Sequence, residues 1–227
     1  MKFTHIAGVL ATLTSSTGVL AQQQTNNQTG PFLLKLTSTN ETLNGNYLGA
    51  CHAGAAIEAL CLIGKNISTI NRSAATFFWN YTIYDGQPSE SGSLVWTLQL
   101  SGGIMNVSEP LSVSYNPGTN VAVPMLTPGG VAQQVGFNGS TLYVPGYPDD
   151  SNFKYGEYPT NLSTTQLTNW HACWLFAGSY YYNALAWVTS GAPHNPTCQA
   201  DEAPEQDEAP EQNEAEEDED EEDQEEA

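Results

Sequence analysis

Strict alternation of apolar and polar residues in two neighbouring segments limits the folds open to this chain more than any other feature. In TFFWNYTIY (76–84), large apolar side chains occupy every second position from Phe77 to Ile83. The same pattern holds in GSLVWTLQL (92–100). Successive side chains of a β-strand point to opposite faces, so this period predicts two half-buried strands. The residues between them, DGQPSESG, are rich in turn formers and predict a hairpin with a long loop.

The rest of the chain also predicts an all-β protein, mainly an antiparallel sandwich or barrel with minor short helices. Its apolar runs are short and are bounded by Gly, Pro and Asn, which is typical of these folds. Short helices are indicated only in STTQLTNW (163–170) and in part of AAIEALCLI (55–63). Further strands are predicted at 32–37, 111–115, 120–124, 131–137, 141–144, 171–176 and 181–189.

The N-terminal residues 1–21 are predicted to be a signal peptide. A mostly apolar or small stretch ends in Val-Leu-Ala, which suits cleavage before Gln22. Thr and Ser dilute the stretch, and a membrane span needs roughly 20 apolar residues, so an anchor is not expected. Residues 22–30 are expected to be a flexible segment in front of one β-rich domain at 31–199, which is long enough for a hydrophobic core.

Residues 200–227 are predicted to be a disordered acidic tail. The last 27 residues contain 17 Asp or Glu and no Lys or Arg, and DEAPEQ occurs twice, at 201–206 and 207–212. Such a segment has too little apolar area to offset the entropy of ordering. Most of the formal charge of −20 therefore belongs to the tail. Because this charge repels phosphates and anionic lipids, we expect neither nucleic acid nor a membrane as a partner.

Eight Asn-X-Ser/Thr triplets predict an N-glycosylated protein of the secretory pathway. This number exceeds what the composition gives by chance. A glycan must point to solvent, so each occupied triplet would also mark an exposed position. The triplets begin at Asn27, Asn40, Asn66, Asn71, Asn80, Asn106, Asn138 and Asn161.

Four cysteines in a secreted protein predict two disulfides, for which three pairings exist. A continuous helix over 51–61 would hold the Cα atoms of Cys51 and Cys61 about 15 Å apart, whereas a disulfide needs about 7 Å or less. The flanking residues suit strands and Gly54 suits a turn, so we favour a stapled hairpin with Cys51 bonded to Cys61. Cys173 would then pair with Cys198.

The histidines near the cysteines do not predict a metal centre or a nucleophile. His52, His171 and His194 each lie within four residues of a cysteine, but thiolates held in disulfides cannot bind metal. Cys51 and His52 are adjacent, and adjacent side chains on a strand point to opposite faces. We therefore expect no catalytic cysteine, no metal and no cofactor, and His52 is interpreted as a structural or surface residue.

Acidic residues outside the tail leave a polysaccharide hydrolase as the alternative function. A glycoside hydrolase needs two carboxyl groups at a defined separation. The pair Asp149 and Asp150 and the isolated Glu58 are the carboxyl groups to test first, although a solvated turn is the simpler interpretation of YPDD. The other candidates outside the tail are Glu41, Asp85, Glu90, Glu109 and Glu157.

Aromatic residues near the C-terminal end of the domain are candidates for glycan contact. Exposed aromatic rings on a β-sheet can stack on sugar faces, whereas rings on a core face only pack. Trp79 and Trp96 fall on the predicted core faces. The residues to examine for exposure are therefore Trp174, Tyr180, Tyr181 and Tyr182.

The segments LNGNYLGACHAGAAIEALC, GSLVWTLQL, NWHACW and LAWVTSGAPHNPTC occur in an order that resembles small secreted proteins of filamentous ascomycete fungi with no assigned activity. The resemblance covers roughly residues 31–198 and offers no catalytic residues. It implies a fungal extracellular or cell-wall protein. We accordingly expect a non-catalytic secreted glycoprotein whose partner is a cell-wall or host glycan or protein.

Overall fold

The computed structural model describes residues 24–146, 153–158, 165–200 and 203–208. The predicted signal peptide lies outside the described residues, as do Asn161, Asp149, Asp150 and the tail beyond residue 208. Nearly all regular structure in the described part is antiparallel β-sheet, which confirms the predicted fold class.

The described residues contain fourteen strands, one short α-helix and one turn of 3₁₀ helix. Their bounds are β1 Gln24–Leu36, β2 Tyr47–Gly54, β3 Ile57–Gly64, α1 Arg72–Ala75, β4 Phe77–Tyr84, β5 Gln87–Leu100, the 3₁₀ turn Ser101–Gly103, β6 Met105–Ser114, β7 Val121–Leu126, β8 Gln134–Asn138, β9 Thr141–Pro145, β10 Gln166–Leu167, β11 Trp170–Ala177, β12 Tyr180–Val188, β13 Gln199–Ala200 and β14 Pro204–Glu208.

Seven of the strands close into a barrel. The pairings run from β1 through β4, β5, β6, β7, β3 and β2, and the ring closes at the residue pair Lys35 and Tyr47. A second route, through β14, β9 and β8, joins β1 to β5. The β11–β12 hairpin attaches outside the ring, because β12 pairs with both β3 and β7.

The barrel interior holds the main hydrophobic core, and the alternation in the sequence explains how it is filled. Phe77 and Leu94 are both fully buried and face the core from β4 and β5. Leu34 and Leu36 do the same from β1, while Lys35 between them points outwards. Burial of each such side chain contributes roughly 1.5–3 kcal/mol. The predicted core face of β4 is therefore confirmed at Phe77, whereas the side chains from Phe78 to Ile83 are only half-buried and Tyr84 is exposed.

The β4–β5 connection is much tighter than predicted. We expected a long loop over DGQPSESG, but β5 already begins at Gln87. The connection is the two-residue turn Asp85-Gly86, with φ of 48° and 80° at these positions. Positive φ at both central residues defines the hairpin turn that Asp-Gly favours and whose twist matches the strands.

Two segments that we expected to be irregular form strands where they are described. Residues 24–29, assigned above to a flexible segment, belong to β1 and pair with β4. Residues 204–208, assigned above to the disordered tail, form β14 along the opposite edge of β1. Composition alone predicts neither strand, because residues 24–29 depend on the edge of β4 and residues 204–208 on the edge of β1, both of which the rest of the fold supplies.

Neither segment in which the sequence indicated a short helix is helical in the described residues. Residues 57–63 lie in β3, and the segment after Thr165 forms β10 and then enters β11 at Trp170. The α-helix that does occur is α1, whose first turn is capped by Asn71: the Asn71 Oδ1 accepts a hydrogen bond from the backbone N–H of Ser73. None of the helices among the described residues is long and apolar enough to cross a membrane.

Candidate functional site

Two disulfides hold the strands next to the β11–β12 hairpin, and their pairing confirms the prediction. Cys51 is bonded to Cys61 across the β2–β3 hairpin, with 6.0 Å between the Cα atoms. Cys173 on β11 is bonded to Cys198, which follows β12. The chain turns back after Gly54, as the spacing of the first pair requires. Disulfides of this kind indicate an oxidising, extracellular-type environment.

An exposed cluster of three aromatic side chains, hereafter the aromatic surface, lies on the β11–β12 hairpin. It consists of Trp174 and Phe176 on β11 and Tyr181 on β12, which are 50%, 57% and 61% exposed. The ring planes of Trp174 and Tyr181 are 13° from parallel, with their centroids 6.0 Å apart. The Phe176 and Tyr181 centroids are 4.9 Å apart. Single exposed apolar side chains are common on protein surfaces, whereas a contiguous exposed cluster is a candidate interaction site.

The aromatic surface is a continuation of a core-facing strand face. At the start of the hairpin, Trp170 and Trp187 pack against each other inside the core, with centroids 4.7 Å apart. Trp174 and Phe176 follow Trp170 at even spacing and so share its face of β11. The main core ends before these positions, and the side chains project into solvent.

Rigid surroundings fix the backbone of the aromatic surface. The N–H of Trp174 donates to the Thr197 Oγ1 at 3.0 Å, and the Trp174 carbonyl accepts from the Asn195 Nδ2 at 3.0 Å. At the hairpin turn, Gly178 has φ of 61° and packs so closely on Ala53 that a methyl group there would overlap the Ala53 carbonyl. Rings held on such a frame lose little entropy when a ligand binds.

Sequence reasoning identified part of this cluster. Trp174 and Tyr181 belong to it, but Tyr180 and Tyr182 lie on the opposite face of β12. There the Tyr180 ring lies 5.4 Å from the His52 ring, and the Tyr182 hydroxyl donates to the His52 carbonyl at 2.7 Å. Phe176 was not among the predicted residues, although its position two residues after Trp174 on one strand places it on the same face.

The described sequon asparagines all have some exposure. Asn27, Asn66, Asn71, Asn106 and Asn138 are exposed, while Asn40 and Asn80 are half-buried. None of the seven lies on β7, β11 or β12. The aromatic surface is therefore carried by strands without a glycan acceptor.

Three surface clefts, by contrast, are lined by sequon asparagines. The first, of about 550 Å³, includes Asn27 and Asn80. The second, of about 490 Å³, contains the stacked rings of Trp79 and Tyr81 but has Asn138 in its wall. The third, of about 400 Å³, includes Asn106. A glycan on these asparagines would compete with any ligand for the space.

A pair of buried carboxyl groups is the second chemical feature of the barrel. Glu58 on β3 and Glu109 on β6 are 6% and 0% exposed. Both lie on the inward face, since Glu58 alternates with the core residue Leu60, and Glu109 with Leu111. Neither side chain lines the three clefts described above.

The surroundings of this pair keep one proton on it at neutral pH. Burial is the largest cause that raises the pKa of Glu109 from 4.5 to about 9, and the neighbouring Glu58 carboxyl raises it further. Both Glu109 oxygens and the Glu58 Oε2 are buried without a hydrogen-bond partner among the described residues. An ionised Glu109 would therefore lack both water and a compensating donor. We conclude that Glu109 is protonated at neutral pH.

The described residues offer little else for chemistry. They contain no group of three or more His, Cys, Asp or Glu side chains close enough to bind a metal ion. His52 is exposed beside Tyr180, and the His171 Nδ1 lies 3.3 Å from the Asn169 carbonyl. All four cysteines are in disulfides. No thiolate is therefore free in the described domain.

Together these features define a class: an antiparallel β-barrel stapled by two disulfides, with a rigid aromatic surface on one hairpin. The chain belongs to the family described as Domain of unknown function (DUF7907), whose model matches residues 29–201. The match includes both disulfides, the carboxyl pair and the aromatic surface. Comparison with curated proteins and with solved structures finds no match.

Proposed function

We propose that this chain is a secreted, N-glycosylated fungal protein of the cell surface or extracellular space. In this proposal it binds carbohydrate through the aromatic surface and catalyses no reaction. The observation that carries the proposal is the contact of three exposed rings, Trp174, Phe176 and Tyr181, on one hairpin. Sugars present apolar C–H faces that pack on aromatic rings, and the three exposed rings offer apolar area for such contacts.

The surroundings of the aromatic surface suit a neutral ligand. Aromatic and amide side chains dominate there: Asn183 lies opposite Trp174 in the β11–β12 ladder and supplies a hydrogen-bonding group at its edge. The strong acidity of the whole chain disfavours phosphate-containing partners. A polysaccharide of the cell wall or of a host meets both conditions, which is why we favour it over nucleic acid or a membrane.

Glycan arrays and polysaccharide pull-down with the secreted protein test the proposal. Trp174→Ala and Tyr181→Ala should each lower the affinity for a retained glycan about tenfold or more, the usual loss when an anchoring aromatic side chain is removed. Tyr84→Ala is the matched control, because this ring is 43% exposed on the distant β4–β5 hairpin. Equal retention of all three variants and the wild type would refute binding at the aromatic surface.

A polysaccharide hydrolase remains the second candidate, and the buried pair of Glu58 and Glu109 is the observation in its favour. The raised pKa of Glu109 keeps it protonated at neutral pH, as a general acid requires. Release of reducing ends from a polysaccharide, abolished by Glu109→Gln, would support this candidate and overturn the non-catalytic proposal. Asp149→Asn and Asp150→Asn test the carboxyl pair predicted from the sequence in the same assay.

A further inference from the structure

A slot between the edges of β1 and β9 receives the strand β14. Residues 204–208 pair antiparallel with Phe32–Leu36 of β1, and Glu205 also lies opposite Thr141 of β9. The N–H of Gln206 donates to the Ser140 carbonyl at 2.8 Å. The backbone of this segment is therefore held from both sides, as in peptide recognition by strand addition.

Side chains of β14 also fit the slot specifically. Ala203, at its start, is 1% exposed and packs into the main core, and Pro204 is buried. At the other end, the Asp207 Oδ2 lies 3.8 Å from the Lys35 Nζ and accepts a hydrogen bond from the Tyr47 hydroxyl at 3.2 Å. The slot therefore selects a small residue and a proline at one end and a hydrogen-bond acceptor at the other.

The ligand of this slot comes from outside the family domain. The family match ends at residue 201, two residues before Ala203. The domain's own strands, β1 and β9, form the walls, and the sequence that follows the domain supplies the occupant. The arrangement has the geometry of strand addition, with the added strand supplied by the same chain.

The same chain encodes a second candidate ligand. The hexapeptide DEAPEQ at 201–206 is repeated at 207–212, so Ala209-Pro210-Glu211-Gln212 duplicates the segment that enters the slot. The second copy lies six residues after the first. Because six is an even number, each side chain of the second copy would point to the same face as its counterpart in the first. We infer that the β1–β9 slot is a binding site for Ala-Pro-Glu-Gln peptides, and that the two copies in this chain exchange within it.

One substitution distinguishes the copies. The residue after the first copy is Asp207, whereas the residue after the second is Asn213. An asparagine oxygen can accept the Tyr47 hydrogen bond but offers no charge to Lys35. Docking of the second copy also closes a longer loop, which costs entropy. The first copy is therefore the major occupant and the second the minor one.

Disulfide trapping in the full-length chain tests the exchange. A bridge that forms while the second copy occupies the slot holds that copy there, so even a minor occupant accumulates under oxidising conditions. Lys35 lies opposite Glu205, so Lys35→Cys with Glu205→Cys reports the first copy. Lys35→Cys with Glu211→Cys reports the second copy. Lys35→Cys with Gln212→Cys is the matched control, since its thiol has the same reach but faces inwards. Peptide mapping separates the new bridges from the two native ones.

We expect the Glu211→Cys variant to form the intramolecular bridge at several times the yield of the Gln212→Cys control. Adding Ala203→Lys, which removes the first copy from its buried position, should raise that yield further. Equal yields for Glu211→Cys and Gln212→Cys, with efficient bridging at Glu205→Cys, would overturn the inference. Disulfide-linked dimers in place of intramolecular bridges would overturn the exchange within one chain. Neither result depends on carbohydrate binding.

Discussion

Replacing Glu109 by glutamine should stabilise the protein at neutral and alkaline pH and leave it nearly unchanged at pH 4. The amide keeps the shape of the protonated carboxyl, but it has no proton to lose. The wild-type side chain has a pKa raised from 4.5 to about 9 in the folded state. Its contribution to stability is therefore complete below pH 4.5 and is lost as the pH rises towards 9.

The size of the effect follows from the same values. Each pH unit between the unfolded and folded pKa changes the free energy of unfolding by at most about 1.4 kcal/mol. From pH 4.5 to pH 7 the upper limit is therefore about 3 kcal/mol for Glu109, given its pKa of about 9. Entry of water and adjustment around Glu58 reduce this value, and we expect roughly 1–3 kcal/mol.

Urea unfolding of the wild type and Glu109→Gln at pH 4, 5.5, 7 and 8 measures this difference. The free energy of unfolding of the variant minus that of the wild type should increase steadily with pH. Glu41→Gln is the control, because Glu41 is exposed and its replacement should give a small difference that does not follow this trend. A difference for Glu109→Gln that is constant from pH 4 to pH 8 would refute the raised pKa of Glu109.

Three further variants probe the barrel and its modifications. Replacing both Cys51 and Cys61 by serine should lower the free energy of unfolding by about 3 kcal/mol, since the bridge closes a loop with a sequence separation of 10 residues; an unchanged urea midpoint would contradict this. Phe77→Ala removes a fully buried ring and should cost roughly 3–5 kcal/mol in the same assay, with a loss below 1 kcal/mol as the contrary result. Asn71→Asp keeps the oxygen that caps α1 but removes the amide that a glycan requires. Intact-mass measurement should therefore show the loss of one glycan, and thermal stability should not fall. An unchanged glycan mass means that this site is unoccupied.

Alternation in the sequence predicted the class of fold and most strand positions, and it held more information than we extracted. Glu58 falls on the same face as Leu60, and Glu109 on the same face as Leu111, so the period of two places both carboxyl groups on core faces. The proximity of Glu58 to Glu109 in the fold, however, could not be predicted. They come from β3 and β6, which are separated by β7 in the barrel, and no local pattern reports that proximity.

The aromatic surface and the β1–β9 slot could likewise be predicted only in part from the sequence. The presence of Trp174 and Tyr181 on strands was predictable, but their exposure depends on where the core ends. The Asp-Gly pair at 85–86 is a typical two-residue hairpin turn, but the polar residues after it led us to predict a long loop instead. The acidic composition around residues 204–208 predicts disorder, because the apolar contacts that order Ala203 are supplied entirely by distant strands.

Titration of the indole N–H resonances with an oligosaccharide retained on a glycan array tests the central claim most directly. Of the five tryptophans, Trp174 is 50% exposed, and the others are partly or fully buried. We predict that the Trp174 resonance shifts with ligand concentration, while those of Trp170 and Trp187 stay in place. A shift confined to Trp79 would move binding to the cleft beside Tyr81, and the absence of any shift would contradict a carbohydrate-binding aromatic surface.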